Sequence, residues 1–233
     1  MPLPLIYRDP YLAAFAKPSG LIVHRGWGRD DQTALDLAAA AVHAYVYPVH
    51  RLDRGTSGVL LFALRPEIAA ALQDRFKAGE IEKTYVALVR NTPPDQGVID
   101  YAIPKKEGGP RVDAVTEYRR LAIADHASLV QAHPRTGRLH QVRRHMKHLR
   151  NPVIGDANYG DLRVNRAFRD RIGLERLALH ALATSLLHPV TGETLHLHAP
   201  LPEDLAEPLK RLGLGDVLAA VEQRWRMPPA PST

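Results

Sequence analysis

The sequence predicts an α+β fold: a mostly antiparallel mixed sheet flanked by helices. Short β-rich runs separated by turn residues occur along the whole chain, and segments with apolar residues at helical spacing fall between some of them. No repeat and no Pro/Gly-rich linker divides the chain. We therefore expect one domain over residues 1–226 and a Pro-rich, disordered tail over residues 227–233.

The N-terminal third of the chain is expected to hold three strands and two helices. Asp9-Pro10 marks a turn between two β-rich runs, and Thr33 with Asp36 three residues later is typical of a capping box. Pro66 suits the first turn of a second helix, and Gly79 suits its end. The predicted strands are Leu5–Arg8, Leu12–Lys17 and Val59–Leu64, and the predicted helices run from Thr33 to Ala44 and from Pro66 to Gly79.

The remainder of the chain is predicted to be richer in strands. Residues 91–111 are rich in Pro, Gly and charge, so we expect an extended loop with one short strand at Val98–Tyr101. Leu139, Val142 and Met146 are spaced as on a helix, which we place at Arg138–Leu149. The other predicted strands are Lys83–Arg90, Val115–Ile123, Ser128–Ala132, Leu177–Leu187 and Thr194–His198, and the other predicted helices cover 203–212 and 216–225.

The composition excludes several classes of protein. The chain has 233 residues, of which 45% are hydrophobic and 24% charged, as in a soluble globular protein. It has no cysteine, which excludes disulfides and thiolate metal sites. No apolar run has the roughly 18 residues that a membrane span needs, and the first residues do not resemble a signal peptide. We expect a cytoplasmic protein without a metal site and without a membrane-spanning segment.

Positive charge is concentrated in one fifth of the chain. The formal net charge is +6, and residues 133–176 contain 11 Lys and Arg against 4 Asp and Glu, so the remainder is close to neutral. Such asymmetry indicates a polyanionic partner, most simply nucleic acid. A solvated basic helix is the alternative that charge alone leaves open.

The stretch His50–Leu64 carries the strongest chemical signal. Asp53 stands between two arginines, directly before an apolar run that is short enough for a buried strand. Neighbouring positive charge favours the ionised form of a carboxylate. Gly55 and Gly58 are expected to let the backbone turn sharply and to let a ligand come close. Taken alone, the string is also compatible with a surface turn that holds a local ion pair.

Two more side chains are candidates for the same site. Arg143 follows Leu139 by four residues and precedes Met146 by three, so it flanks the apolar stripe of the predicted helix. A cation at the edge of a core normally needs an anionic partner, and Asp53 is a candidate. Tyr85 lies on a predicted strand, where simple packing is the alternative to a functional role.

Together these strings resemble the RluA family of pseudouridine synthases. The matching segments span nearly the whole chain: Ala16–Leu21, His50–Leu64, Lys83–Tyr85, Thr136–His145 and Pro152–Asp156. The resemblance implies an antiparallel-sheet fold in two subdomains with the active cleft between them. It also implies an isomerase that converts a uridine of RNA to pseudouridine. Residues 155–166 and Val23–Arg25 are similar to a branch of the family that modifies uridine 65 of tRNA.

The resemblance also implies roles for individual residues. The implied catalytic residues are Asp53, Tyr85 and Arg143. Asp53 would be the catalytic aspartate and Arg143 its partner, and Tyr85 would stack on the target uracil and could also take part in a proton transfer. The residues expected to contact RNA or to help displace the target nucleotide are Arg51, Arg54, Arg138, His140, Arg144, Lys147 and Arg150. No cofactor is expected, because the isomerisation gains and loses no atom, and a monomer is the family's usual form.

Three alternatives stay open at this point. Asp53 could act as a nucleophile or as a base. The protein could be an enzyme of the same class that acts on ribosomal RNA. The protein could instead bind or fold RNA through a vestigial synthase site.

Overall fold

Twelve strands and six helices make up the part of the chain that this computed structural model describes, residues 2–25, 31–105 and 108–226. The strands are β1 (Leu5–Arg8), β2 (Leu12–Lys17), β3 (Tyr47–Pro48), β4 (Ser57–Ala63), β5 (Glu82–Arg90), β6 (Gln96–Asp100), β7 (Ile103–Pro104), β8 (Arg111–Val112), β9 (Val115–Ala124), β10 (Ala127–Pro134), β11 (Leu179–Leu187) and β12 (Thr194–His198). The helices are α1 (Ala34–Val42), α2 (Pro66–Ala78), α3 (Gln141–His148), α4 (Leu162–Ile172), α5 (Glu203–Arg211) and α6 (Gly215–Arg226).

One ten-stranded sheet runs through both halves of the molecule. Its main order is β1-β2-β4-β11-β5-β10-β9-β6, with β3 beside β4 and β12 beside β11, while β7 and β8 form a separate two-stranded sheet. Among these strands β4 and β11 pair in parallel, and the other pairings are antiparallel. The expected mixed, mostly antiparallel sheet is confirmed, and β11 is the strand that joins its two halves.

Helices cover both faces of the N-terminal half of the sheet. Leu60 and Phe62 of β4 pack in a cluster with α1, whereas Val59 and Leu61 pack in a second cluster with α2. Neighbouring residues of a strand point to opposite faces, so a strand covered on both faces is apolar throughout. All seven residues of β4 are buried, which is why its sequence is a continuous apolar run.

The ends of the first two helices follow from their sequence. Thr33 Oγ1 accepts a hydrogen bond from Asp36 N at 3.2 Å, and Thr33 N donates to the Asp36 carboxylate at 3.0 Å, which completes the predicted capping box of α1. Pro66 is the first residue of α2, and Gly79 ends the helix in the left-handed conformation. These two helices agree closely with the prediction.

The largest core lies in the C-terminal half of the sheet. Strands β5, β10 and β11 pack there against α3, α4, α5 and α6. Each helix contributes at least one buried side chain: Met146 from α3, Phe168 from α4, Leu209 from α5 and Leu218 from α6. This core supports α3, which carries Arg143.

Three local predictions were wrong or incomplete. Helix α3 begins at Gln141 and not at Arg138, because His140 has a left-handed backbone (φ 54°) that interrupts a helix. Helix α4 was not predicted, although Asp161 caps its start and Gly173 its end. The expected loop at 91–111 also holds β7 and β8, whose two-residue strands are too short to be recognised in a sequence.

No helix in the described part of the chain is long and apolar enough to cross a membrane. The tail that was predicted to be disordered, residues 227–233, lies outside the described residues.

Candidate active site

The loop before β4 presents Asp53 to a cleft in the middle of the sheet. Thr56 N donates to Asp53 O at 3.0 Å and closes the turn. The next carbonyl, Arg54 O, accepts from Gly20 N at 2.8 Å and from Nζ of the buried Lys17 at 3.2 Å. The main chain around the acid is therefore fixed, while the Asp53 side chain remains 18% exposed to the cleft.

His50 fixes the start of this loop. Leu61 N donates to His50 Nε2 at 2.9 Å, and the imidazole stacks on Phe76 of α2 with 4.7 Å between ring centroids. Burial, reinforced by the charge of Lys83, lowers the pKa of His50 to about 3. The ring therefore stays neutral and keeps the acceptor that the Leu61 amide needs.

Arg143 reaches Asp53 from the other half of the sheet. It lies on α3, and its side chain is 9% exposed. Arg143 Nη1 donates to Asp53 Oδ2 at 3.0 Å, so Asp53, the candidate partner, is in contact with it. Arg143 Nε and Nη2 donate to the two carboxylate oxygens of Asp156 at 2.7 and 2.8 Å. One guanidinium group thus joins two carboxylates.

Asp156 is a site residue that the sequence reasoning missed. Its carboxylate is fully buried and also accepts from Asn158 N and Tyr159 N at 2.9 and 3.0 Å. Burial acts to raise the pKa of Asp156, but the hydrogen bonds and charge of Arg143 outweigh burial and hold it below its usual range. In the sequence, Gly155-Asp156 served only as part of the family resemblance. An irregular segment separates Asp156 from α3, so helical spacing could not indicate its contact with Arg143.

The same balance applies to the arginine. Burial acts to lower the pKa of Arg143, but the hydrogen bonds and charges of Asp156 and Asp53 raise it above the usual arginine range. Arg143 is therefore a permanent cation beside Asp53. This cation orients Asp53, and a carboxylate held in this way can attack as a nucleophile or accept a proton.

Tyr85 forms one wall of the cleft beside Asp53. The cleft has a volume of about 560 Å³, in the range of pockets that hold one small-molecule-sized group. Burial, with a contribution from the charge of Asp53, raises the pKa of Tyr85 above its usual range, so the hydroxyl keeps its proton. Nearby, Lys83 Nζ donates to Thr136 O at 3.3 Å, and burial lowers the pKa of Lys83 to about 8.

His140 approaches the second oxygen of the acid. His140 Nε2 lies 3.7 Å from Asp53 Oδ1, and its Nδ1 lies 2.9 Å from the hydroxyl of Tyr159. Burial lowers the pKa of His140, although the charge of Asp53 opposes this. His140 therefore borders the acid itself, a position that its assignment to the RNA-contacting group did not anticipate.

The other basic residues expected to contact RNA differ in their surroundings. Arg51 and Arg138 are exposed and line the cleft. The residues that are exposed but do not line the cleft are Arg54, Lys147 and Arg150. Arg144 is already engaged within the protein, since its Nε donates to the Tyr159 hydroxyl at 2.8 Å and its Nη1 to Pro104 O at 2.7 Å. Much of the hydrogen-bonding capacity of Arg144 is thus occupied before RNA binds.

The two glycines of the Asp53 loop have a different role from the predicted one. A Cβ atom on Gly58 would lie 2.1 Å from Ala181 O of β11, and the Gly58 φ of +122° strongly favours glycine. A Cβ atom on Gly55 would lie 3.2 Å from Leu177 Cβ. Both glycines make room for the neighbouring chain at β11, and neither lines the cleft where a ribose would lie.

The site thus combines a partly buried acid, a fixed cation and an aromatic wall in one cleft. Such a set can perform nucleophilic or acid–base chemistry on a planar ligand that stacks on Tyr85. Within the described residues, no three His, Asp or Glu side chains form a group that could hold a metal ion.

Comparison with known proteins gives relatives over most of the chain. Residues 11–148 match the family model for RNA pseudouridylate synthase. The tRNA pseudouridine synthase C of Pasteurella multocida is 40% identical, with 85% of this chain and 91% of that protein covered. The protein of the same name from Haemophilus ducreyi is 40% identical, with 87% and 93% covered. For that from Pectobacterium carotovorum the identity is 43%, and this chain spans 58% of its length.

Solved structures agree with this grouping. Human RNA Pseudouridylate Synthase Domain Containing 4 has a TM-score of 0.75 and 28% identity, with 90% of this chain and 93% of that chain covered. Human RNA Pseudouridylate Synthase Domain Containing 1, at 24% identity and a TM-score of 0.73, supports the fold alone. Because the family model covers more than half of the sequence and these relatives match it nearly from end to end, the chain belongs to the RNA pseudouridylate synthase family.

Proposed function

We propose that the chain isomerises a uridine of tRNA to pseudouridine, with uridine 65 as the target. The observation that carries the proposal is the pairing of Asp53 with Arg143 at 3.0 Å, in a cleft that Tyr85 borders. The tRNA pseudouridine synthase C proteins that match most of the chain support the choice of tRNA. We also propose that residues 1–226 act as one catalytic unit, as a monomer in the cytoplasm.

The reaction breaks the N1–C1′ glycosidic bond of uridine and forms a C5–C1′ bond. The base turns in place, C5 loses a proton to solvent and N1 gains one, so the product has the same atoms as the substrate. No co-substrate is therefore required. Asp53 is the group placed to start the reaction, either by attack on C1′ or the uracil ring or by removal of a proton from C2′.

Arg143 holds the Asp53 carboxylate in place in the proposed reaction. Its remaining hydrogen bonds go to Asp156, so the guanidinium cannot swing away from the acid. Preorganised charge of this kind lowers a barrier because it needs no rearrangement as the reaction proceeds. Asp156 acts through Arg143 and is a positioning residue.

Tyr85 offers a flat face for the extruded uracil. Stacking of a base on an aromatic side chain contributes roughly 1–3 kcal/mol, which offsets part of the few kcal/mol needed to extrude a base. Arg51 and Arg138, exposed at the cleft, are the side chains best placed to contact the backbone of the same nucleotide or to occupy the space it leaves. Lys147 and Arg150 would add phosphate contacts farther out.

Release of tritium from tRNA labelled with [5-³H]uridine tests this function directly. The wild-type protein should release tritium, and the Asp53→Asn variant should release none while it retains most of its affinity for tRNA. Release by the variant at the wild-type rate would show that Asp53 is not the essential acid. Chemical mapping of pseudouridine in tRNA and in ribosomal RNA treated with the protein would then identify the substrate. Modification confined to ribosomal RNA would refute the choice of tRNA.

A further inference from the structure

Helix α4 carries an exposed cationic surface that the proposed active site does not use. Arg166 and Arg169 are both exposed and lie three residues apart, so they lie on one face of the helix. Together with Asn165 they line a recess of about 190 Å³, whose wall also contains the exposed Glu175. The recess therefore holds two guanidinium groups and one carboxylate.

These two guanidinium groups differ from their neighbours in their surroundings. Arg171, on the same helix, pairs with Asp125, and the Asp161 cap pairs with Arg90 at 3.6 Å. Among the residues that the structure describes, no carboxylate lies within 4.0 Å of Arg166 or Arg169. The two guanidinium groups outnumber the single carboxylate of Glu175, so the recess carries a net positive charge and suits an anion with several oxygens, such as a phosphate.

The recess is rigidly connected to the acid in the cleft. Asn165 Nδ2 donates to Asp156 O at 3.0 Å, and Asn165 Oδ1 accepts from Gly155 N at 2.8 Å. Asp156 in turn holds Arg143, which pairs with Asp53. This series of contacts fixes the position of α4 relative to the Asp53 carboxylate.

We propose that Arg166 and Arg169 form a second RNA-binding site, which takes a backbone phosphate of the substrate outside the cleft. The inference rests on the proposed function, because it assumes that the polyanion in the cleft is RNA. The contact is to phosphate and therefore adds affinity and orientation without reading a base. Its fixed connection to Asp156 sets the distance between the bound phosphate and the target uridine.

The test compares two double variants of the full chain. Arg166→Gln/Arg169→Gln removes the proposed site, and Arg119→Gln/Arg224→Gln removes two exposed arginines from β9 and α6 as a matched control. Filter binding to an unmodified tRNA transcript is measured from about 0.05 to 0.3 M KCl, the range over which phosphate contacts respond to salt. Each phosphate contact that is removed should lower the slope of log K against log[salt] by roughly 0.9, which corresponds to about a 5-fold weaker affinity per contact at 0.15 M.

The site variant should bind roughly 5-fold more weakly at 0.15 M salt and with a slope lower by roughly 0.9, because one phosphate contact is lost, while the control binds like wild type. Tritium release should show a raised KM and a kcat near the wild-type value. Arg166→Lys/Arg169→Lys should restore most of the affinity, since lysine still binds phosphate as a point charge. A site variant that matches the control in affinity and slope overturns the inference. A wild-type protein that binds tRNA but releases no tritium overturns the proposed function instead.

Discussion

The substitution Asp156→Asn tests whether the second carboxylate holds Arg143 in place. Asn has the same shape as Asp but carries no charge, and it offers one acceptor oxygen and an amide donor. Arg143 donates through both Nε and Nη2 at 2.7 and 2.8 Å, so one of these donors would face the amide N–H group. The side chain at 156 is fully buried, so water cannot replace the missing acceptor.

The expected size of the effect follows from the hydrogen bonds that the substitution removes. A hydrogen bond to a charged group contributes about 1.5–3 kcal/mol, and a donor facing a donor adds to the loss, so we expect the free energy of unfolding to fall by roughly 2–4 kcal/mol. For a chain of this size that is a fall in Tm of roughly 5–15 °C. Because the guanidinium is no longer fixed beside Asp53, kcat for tritium release should fall by roughly 10- to 100-fold, with KM little changed.

The pH dependence separates this mechanism from a general loss of packing. The pKa of Asp156 is lower in the folded protein than in the unfolded chain, where it is about 4. The ionised side chain therefore gives its full stabilisation above about pH 4, and this stabilisation is lost as the pH falls through the folded-state pKa. The difference in stability between wild type and Asp156→Asn should therefore shrink as urea unfolding is repeated from about pH 6 down to about pH 3. The exposed Asp170→Asn on α4 is the matched control. A wild-type Tm and kcat for Asp156→Asn, or a stability difference independent of pH, would refute the reasoning.

Two further substitutions test the aromatic wall and the packing of the loop. Tyr85→Phe keeps the flat aromatic face and should bind tRNA like wild type. Tyr85→Leu should lose about 5- to 150-fold in kcat/KM, the equivalent of roughly 1–3 kcal/mol of stacking. Equal kcat/KM for the two variants would contradict a stacking role. Gly58→Ala should unfold at least roughly 3 kcal/mol more easily or fail to fold, because its Cβ would lie 2.1 Å from Ala181 O at a φ of +122°. Gly137→Ala, where a Cβ meets no atom within 4 Å, is the control in thermal melts and should change stability by no more than about 0.5 kcal/mol.

Features encoded within a few neighbouring residues were predictable from the sequence. The capping box at Thr33 and Asp36, the start of α2 at Pro66 and the buried strand β4 each depend on local chemistry or on one period of hydrophobicity. That Arg143 needs an anionic partner was also predictable, because a cation at the edge of a core normally has one; Asp53 was a candidate, and the family resemblance implied the pairing. That argument did not depend on where the helix begins.

Features that depend on contacts between distant segments were not predictable in the same way. The bidentate pairing of Asp156 with Arg143 crosses from a helix to an irregular segment, and the close approach of Gly58 to Ala181 joins strands more than 120 residues apart. Helix α4 was overlooked because its many arginines obscured the short apolar pattern of Phe168 and Ile172. The left-handed backbone of His140 likewise reflects its tertiary contacts with Asp53 and Tyr159.

The central position of β11 has a consequence for synthesis on the ribosome. β4 and β5 follow each other in the chain but cannot pair with one another, since β11, which ends at Leu187, lies between them. At about 5–20 residues per second, the nearly 100 residues after β5 take roughly 5–20 s to emerge. During that interval β4 and β5 each have an unpaired edge with apolar neighbours, the kind of edge that pairs with other chains. The nascent chain is therefore most prone to aggregation just before its last long strand becomes available.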